Sequence, residues 1–141
     1  MASINMSKVV TGGLLAGLII NVSEFVLNAG VLAKDWQQTM TSLNRPPDFT
    51  TAQIVGFNVF GFLIGIFAVW LYAAIRPRYG AGRNTAICAA LATWFTVYLL
   101  GMAPPAMTGL FPLGLAAISV VWGLAEVLIA TIVGARLYRE E

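Results

Sequence analysis

Two acids, Glu24 and Glu126, lie inside long apolar runs. No Lys or Arg occurs between Val9 and Ala33 or between Leu113 and Ala135. An acid placed in hydrocarbon can hold a proton or cation, meet a partner's charge, or hydrogen-bond as the neutral acid. An ionised carboxylate at mid-bilayer costs at least ~2.5 kcal/mol, so the neutral acid is the expected form. Asn21, Asn28, Asn58 and the indole of Trp122 are the candidate partners. Helical rise from Lys8 and Arg136 puts Glu126 ~15 Å and Glu24 ~24 Å from the same membrane surface. These six residues form the candidate intramembrane polar site.

Other chemistries lack their residues. The chain has no His, which excludes imidazole-ligated zinc or haem and Ser-His-Asp catalysis. A single cysteine, Cys88, excludes an internal disulfide and reads as a small packing residue. No nucleophile motif or paired metal ligands occur, so neither an enzyme nor a cofactor is expected. A net charge of +2, with basic residues at helix ends, gives no nucleic-acid patch.

The elements that carry the acids follow from hydropathy. Of 141 residues, 59% are hydrophobic and 10% charged, against about a quarter charged in soluble domains. A chain this short exposes much of its surface, so lipid must be the solvent for most of it. Four segments reach the ~20 apolar residues that a membrane helix needs. They run over 9–33, 52–75, 85–102 and 113–137. The second is expected to stop at Arg76-Pro77-Arg78, the third at Pro104-Pro105, and the fourth to start after Pro112. Asp35 and Gln38 resemble a capping box, and a short amphipathic helix over 35–43 would lie on the outer surface. Lys8, Arg76, Arg78, Arg83, Arg136 and Arg139 fall on one side, against Lys34 and Arg45 on the other. That bias puts both termini in the cytoplasm.

Gly13, Gly17, Asn21, Glu24 and Asn28 share one face of the first helix. Asn58, Gly61 and Gly65 share a face of the second. Ser119, Gly123, Glu126, Ala130 and Gly134 share one of the fourth, and Ala89, Thr93 and Thr96 one of the third. Small residues let helices approach closely in lipid, so Gly13, Gly17, Gly61, Gly65 and Gly123 are the expected packing positions. The fold class is therefore all-α: a polytopic, antiparallel bundle of four transmembrane helices forming a single domain. Trp94 and Trp122, at mid-depth, read as packing residues, with a pocket wall for an apolar or cationic ligand as the alternative.

Three stretches carry a resemblance: Ser7-Lys8-Val9-Val10 through Asn21-Val22-Ser23-Glu24-Phe25, Trp70-Leu71-Tyr72-Ala73-Ala74-Ile75-Arg76-Pro77-Arg78, and Val121-Trp122-Gly123-Leu124-Ala125-Glu126. Together they resemble small four-helix bacterial membrane proteins with no assigned activity. The resemblance implies a bacterial inner membrane and transfers no site residue. Small multidrug transporters also have four helices and an acid in the first, but here the acid lies deeper and their flanking motif is missing. The expected function is a non-enzymatic membrane protein, a homo-oligomer or an accessory subunit of other membrane proteins, surrounded by lipid and acting through the interior face that bears Glu24 and Glu126. A small proton- or cation-coupled transporter using Glu24 and Glu126 is the alternative.

Overall fold

The computed structural model describes residues 3–140, and those residues form helices and their connections. Helix α1, Met6–Phe25, is capped by Asn5, whose side chain accepts from the Lys8 N–H at 3.2 Å. It continues as a π-helical turn over Val26–Val31. Leu32 alone separates it from α2, Ala33–Ser42. Helix α3 is Thr51–Tyr79, and Thr50 and Gln53 form a reciprocal capping box at its start. Helix α4, Arg83–Trp94, passes through a second π-helical turn, Phe95–Leu99, into α5, Leu100–Met107. Helix α6 is Leu113–Ala135. Four continuous helical stretches, Met6–Val31, Thr51–Tyr79, Arg83–Met107 and Leu113–Ala135, are long and apolar enough to cross a membrane.

Several expected boundaries move. Proline does not end α3 or α5: Pro77 and the pair Pro104-Pro105 lie inside their last turns. A proline near a helix C-terminus removes only a bond or two to the preceding turn, and the chain can still coil. The helix then closes beyond it, with Gly80 N–H bonded to Arg76 O and Thr108 N–H to Pro104 O. The capping box expected at Asp35 and Gln38 is absent. Because α1 runs on to Val31, α2 starts at Ala33 with Leu32 as its cap, and Asp35 falls in the first turn. There it complements the helix dipole. Cys88 is exposed, not a packing residue of the interior.

The helices meet through backbone. Helix α1 packs most extensively on α3 and also on α6, while α4 packs on α6 and α3. A Cβ added to Gly12 would stand 2.5 Å from the Gly134 carbonyl oxygen, and one on Gly17 2.6 Å from Phe62 Cα. One on Gly13 would strike the Ile66 backbone, and one on Gly65 the Gly13 and Gly17 backbone. Around these contacts Val9, Ala16, Ile20, Val69, Ala89 and Ala130 are sealed from solvent.

The two ends of the helices differ. Asn5 N–H lies 3.4 Å from the Tyr138 hydroxyl, Tyr138 meets Tyr72 edge-on, and the Tyr72 hydroxyl accepts from Gly82 N–H. The region before α1, the α3–α4 turn and the segment after α6 are thus gathered at one end. At the other, Trp36 packs edge-on against Phe49 and Phe111 and so closes α2 over the remaining connections.

Candidate functional site

Glu126 is buried on α6 at 4% exposure, and the Tyr98 hydroxyl donates to its Oε1 at 2.6 Å. The Glu24 carboxyl and the Ser23 hydroxyl lie beside the Glu126 carboxyl. Among the described residues, no hydrogen-bond donor is directed at Glu126 Oε2, although that oxygen is buried. Asn28 donates from Nδ2 to Glu24 Oε2 at 2.6 Å, and its Oδ1 accepts from the Trp36 indole at 2.7 Å. A continuous polar chain therefore runs Trp36, Asn28, Glu24, Glu126, Tyr98.

Sequence depth separated the two acids by ~9 Å, yet their carboxyls meet. The levelling of the helices explains this. Gly12 lies against Gly134, so Glu24 stands twelve residues above that contact on α1 and Glu126 eight residues above it on α6. The remaining offset is four residues, or ~6 Å of rise. Helical side chains tilt toward their own N-terminus. Here α1 and α6 run in opposite senses at this contact, so Glu24 leans down and Glu126 leans up. The two side chains close the gap.

Both π-helical turns serve this cluster. The first follows Glu24 directly and contains Asn28, and the second contains Tyr98. A π turn adds a residue to the helical repeat and rotates the rest of the helix, a device frequent at functional sites. On the third span, Ala89 and Thr93 are sealed, but the next inward residue is Tyr98, while Thr96 faces outward. Gly123 makes room for it: a Cβ there would fall within the Tyr98 ring.

The other candidate residues lie elsewhere. Asn21 donates to the Asn58 backbone carbonyl at 3.0 Å, and a Cβ on Gly61 would collide with the Asn21 amide. The Asn58 side chain is exposed and turns back to Ile54 O at 2.8 Å, so it is not part of the acid cluster. Trp122 donates to Ser23 Oγ at 2.9 Å and reaches the acids only through that hydroxyl. Trp94 donates to Val120 O at 2.8 Å, which ties the third span to α6. Tyr98, Ser23 and Trp36 complete the cluster, and helical spacing alone did not single them out. Among the described residues, no three His, Cys, Asp or Glu side chains converge. The groups available are two carboxyls, a phenol, a hydroxyl and an amide.

No family model, curated protein or solved structure matches this chain. Function therefore rests on the geometry of these side chains. Toward the end where the termini meet, the cluster is closed by Ile20, Ala16, Ala90, Val127 and Ala130, all fully buried. Toward the Trp36 end it continues as hydrogen bonds. The site is thus one-sided.

Proposed function

We propose that this chain is a polytopic membrane protein, four helices in an antiparallel bundle with both termini in the cytoplasm of a bacterial inner membrane. It acts without catalysis, as a homo-oligomer or as an accessory subunit beside other membrane proteins. The gathering of both termini and the basic α3–α4 turn at one end supports the orientation, because Lys8, Arg76, Arg78, Arg83, Arg136 and Arg139 border that end. Glu24, Glu126 and Tyr98 join three spans through hydrogen bonds between neutral or proton-sharing groups, a lock for the interior.

One observation carries the subunit reading. The half of α3 remote from the termini has little cover: Ile54, Val55, Phe57, Val59, Phe60 and Leu63 are each half exposed or more and point in several directions. Asn58 is exposed among them, and no described residue donates to its Oδ1. Lipid offers that amide no partner, whereas a neighbouring chain does. Cysteine placed at Phe60, in a Cys88→Ser background, tests this in native membranes. Oxidation is expected to yield a linked dimer or a product of fixed higher mass. Monomer alone, at Phe60 and at Val59 alike, removes the subunit reading.

A proton- or cation-coupled transporter is the second reading, favoured by the orphan oxygen of Glu126 beside a second carboxyl. Glu126→Gln would then fold but abolish pH-driven flux in reconstituted vesicles. Equal flux in vesicles with and without the protein would eliminate this reading.

A further inference from the structure

The end of α3 holds a cation with too few partners. The Arg76 guanidinium carries five N–H donors. Among the described residues, its one ion pair joins Nε to Glu140 Oε1 at 3.7 Å, beyond hydrogen-bonding distance. Its Nη1 is buried with no acceptor among the described residues. The group is nonetheless held in place, with its Cζ 5.5 Å from the centre of the Tyr138 ring. Tyr138 is itself buried and braced edge-on by Tyr72. The guanidinium is thus positioned on an aromatic shelf and poorly satisfied there.

Beside it opens a cavity of about 520 Å³, walled by Ile4, Ala73, Ala74, Pro77 and Ala81, with Arg76 and Glu140 as its charged members. It is a groove open along one side, which suits a headgroup still attached to its lipid and not an enclosed small molecule. Its chemistry is divided: one planar cation, one loosely placed acid, and an apolar wall. Arg pairs with phosphate in a two-pronged geometry that its planar fork fits. The apolar wall suits the glycerol and first acyl carbons attached to such a phosphate. Arg76 stands in the last turn of an apolar helix, the level at which headgroups lie in a bilayer. Lys8, Arg78, Arg83, Arg136 and Arg139 border the same end and favour an anion there.

We propose that Arg76 and this cavity bind the phosphate of an anionic phospholipid headgroup, with Glu140 paired to the guanidinium until that phosphate displaces it. The proposal rests on the membrane reading but not on which side the termini occupy. Glu140 is then a tethered competitor, and removing its charge strengthens binding.

The test uses the purified full chain in a non-ionic detergent, titrated with phosphatidylglycerol, with phosphatidylcholine and with inorganic phosphate, and followed by native mass spectrometry. One phosphatidylglycerol per chain is expected, favoured over phosphatidylcholine by about tenfold, because phosphatidylcholine adds to the same phosphate a choline cation that the surrounding basic residues repel. Arg76→Gln should lower phosphatidylglycerol occupancy by about tenfold, and Glu140→Gln should raise it. Competition by millimolar inorganic phosphate would assign the site to phosphate in general, and its failure would assign the site to the lipid. Both outcomes retain the oxyanion at Arg76. Equal phosphatidylglycerol binding by wild type and Arg76→Gln overturns the proposal. If Arg76→Gln does not fold, Glu140→Gln decides alone: occupancy unchanged or lowered overturns it.

Discussion

Tyr98 reaches Glu126 because Gly123, one turn earlier on α6, leaves room for its ring. The phenol donates to Glu126 Oε1 at 2.6 Å, and a Cβ at position 123 would occupy the space of the ring itself. A small residue on one helix thus positions a donor from another span onto a buried acid.

Removing the donor and filling its seat should therefore act on one contact. Tyr98→Phe removes the hydrogen bond that Glu126 Oε1 accepts from the phenol, which costs about 1–3 kcal/mol when the acceptor is buried. Gly123→Ala displaces the ring and loses the same bond. Thermal unfolding in detergent should show both single variants destabilised and the double variant less so than their sum. Strict additivity would mean that the two residues act separately.

The close helix contacts make a second, sharper comparison. Gly12→Ala and Gly134→Ala each drive a methyl against the opposite backbone carbonyl, which cannot swing aside as a side chain can. Overpacking of this kind costs about 1–3 kcal/mol. A methyl added at Gly101 would have nothing within 4 Å, and alanine is the better helix former by up to about 1 kcal/mol. Gly101→Ala should be neutral or stabilising in the same melting assay. Equal loss of stability at all three positions would show that general helix propensity, and not backbone contact, sets the effect.

Helical spacing made the glycine faces legible. Gly13, Gly17, Gly61, Gly65 and Gly123 all stand in close contacts, because three- and four-residue spacing survives in regular helix. Gly12 was not legible: it lies one position from that series, and only the approach of Gly134 reveals it. Of the six polar candidates, Glu24, Glu126 and Asn28 come together and Trp122 joins them through Ser23, while Asn21 and Asn58 bond elsewhere. Tyr98 escaped the periodicity because the π-helical turn over Phe95–Leu99 moves the inward face from Thr96 to Tyr98. Trp36 escaped because the connection from the first π turn to α2 is a single residue, Leu32, which swings the indole back over Asn28.

Sidedness is tested by labelling. With Cys88 replaced by Ser, cysteines at Tyr79 and Gln38 should react with an impermeant maleimide from opposite faces of the membrane. Gln38 is expected to label in intact cells and Tyr79 only after the membrane is opened. Labelling of Tyr79 in intact cells would invert the orientation, and labelling of both would break the four-span topology.

The final prediction concerns the proton at the acid pair. Asn28 already donates to Glu24, while Glu126 Oε1 accepts from Tyr98 and Oε2 receives no donor. A buried oxygen that receives nothing can be satisfied in one other way, by carrying the proton and donating it. The Glu24 carboxyl lies alongside to accept it. Two ionised carboxylates in that position would repel each other with no Lys or Arg in either apolar run to offset the charge. Glu126 is therefore expected to be the neutral acid at pH 7. Infrared difference spectra should show a protonated carboxyl band there that disappears in Glu126→Gln, with no matching loss of a carboxylate band. Glutamine keeps the shape, the acceptor for Tyr98 and a donor toward Glu24, so Glu126→Gln should melt close to wild type. Glu126→Ala leaves the buried Tyr98 hydroxyl without its acceptor and opens a void beside Glu24, and it should lose about 1–3 kcal/mol. A carboxylate band at pH 7 that vanishes in Glu126→Gln would show Glu126 ionised, and the lock would then need a cation in place of the proton.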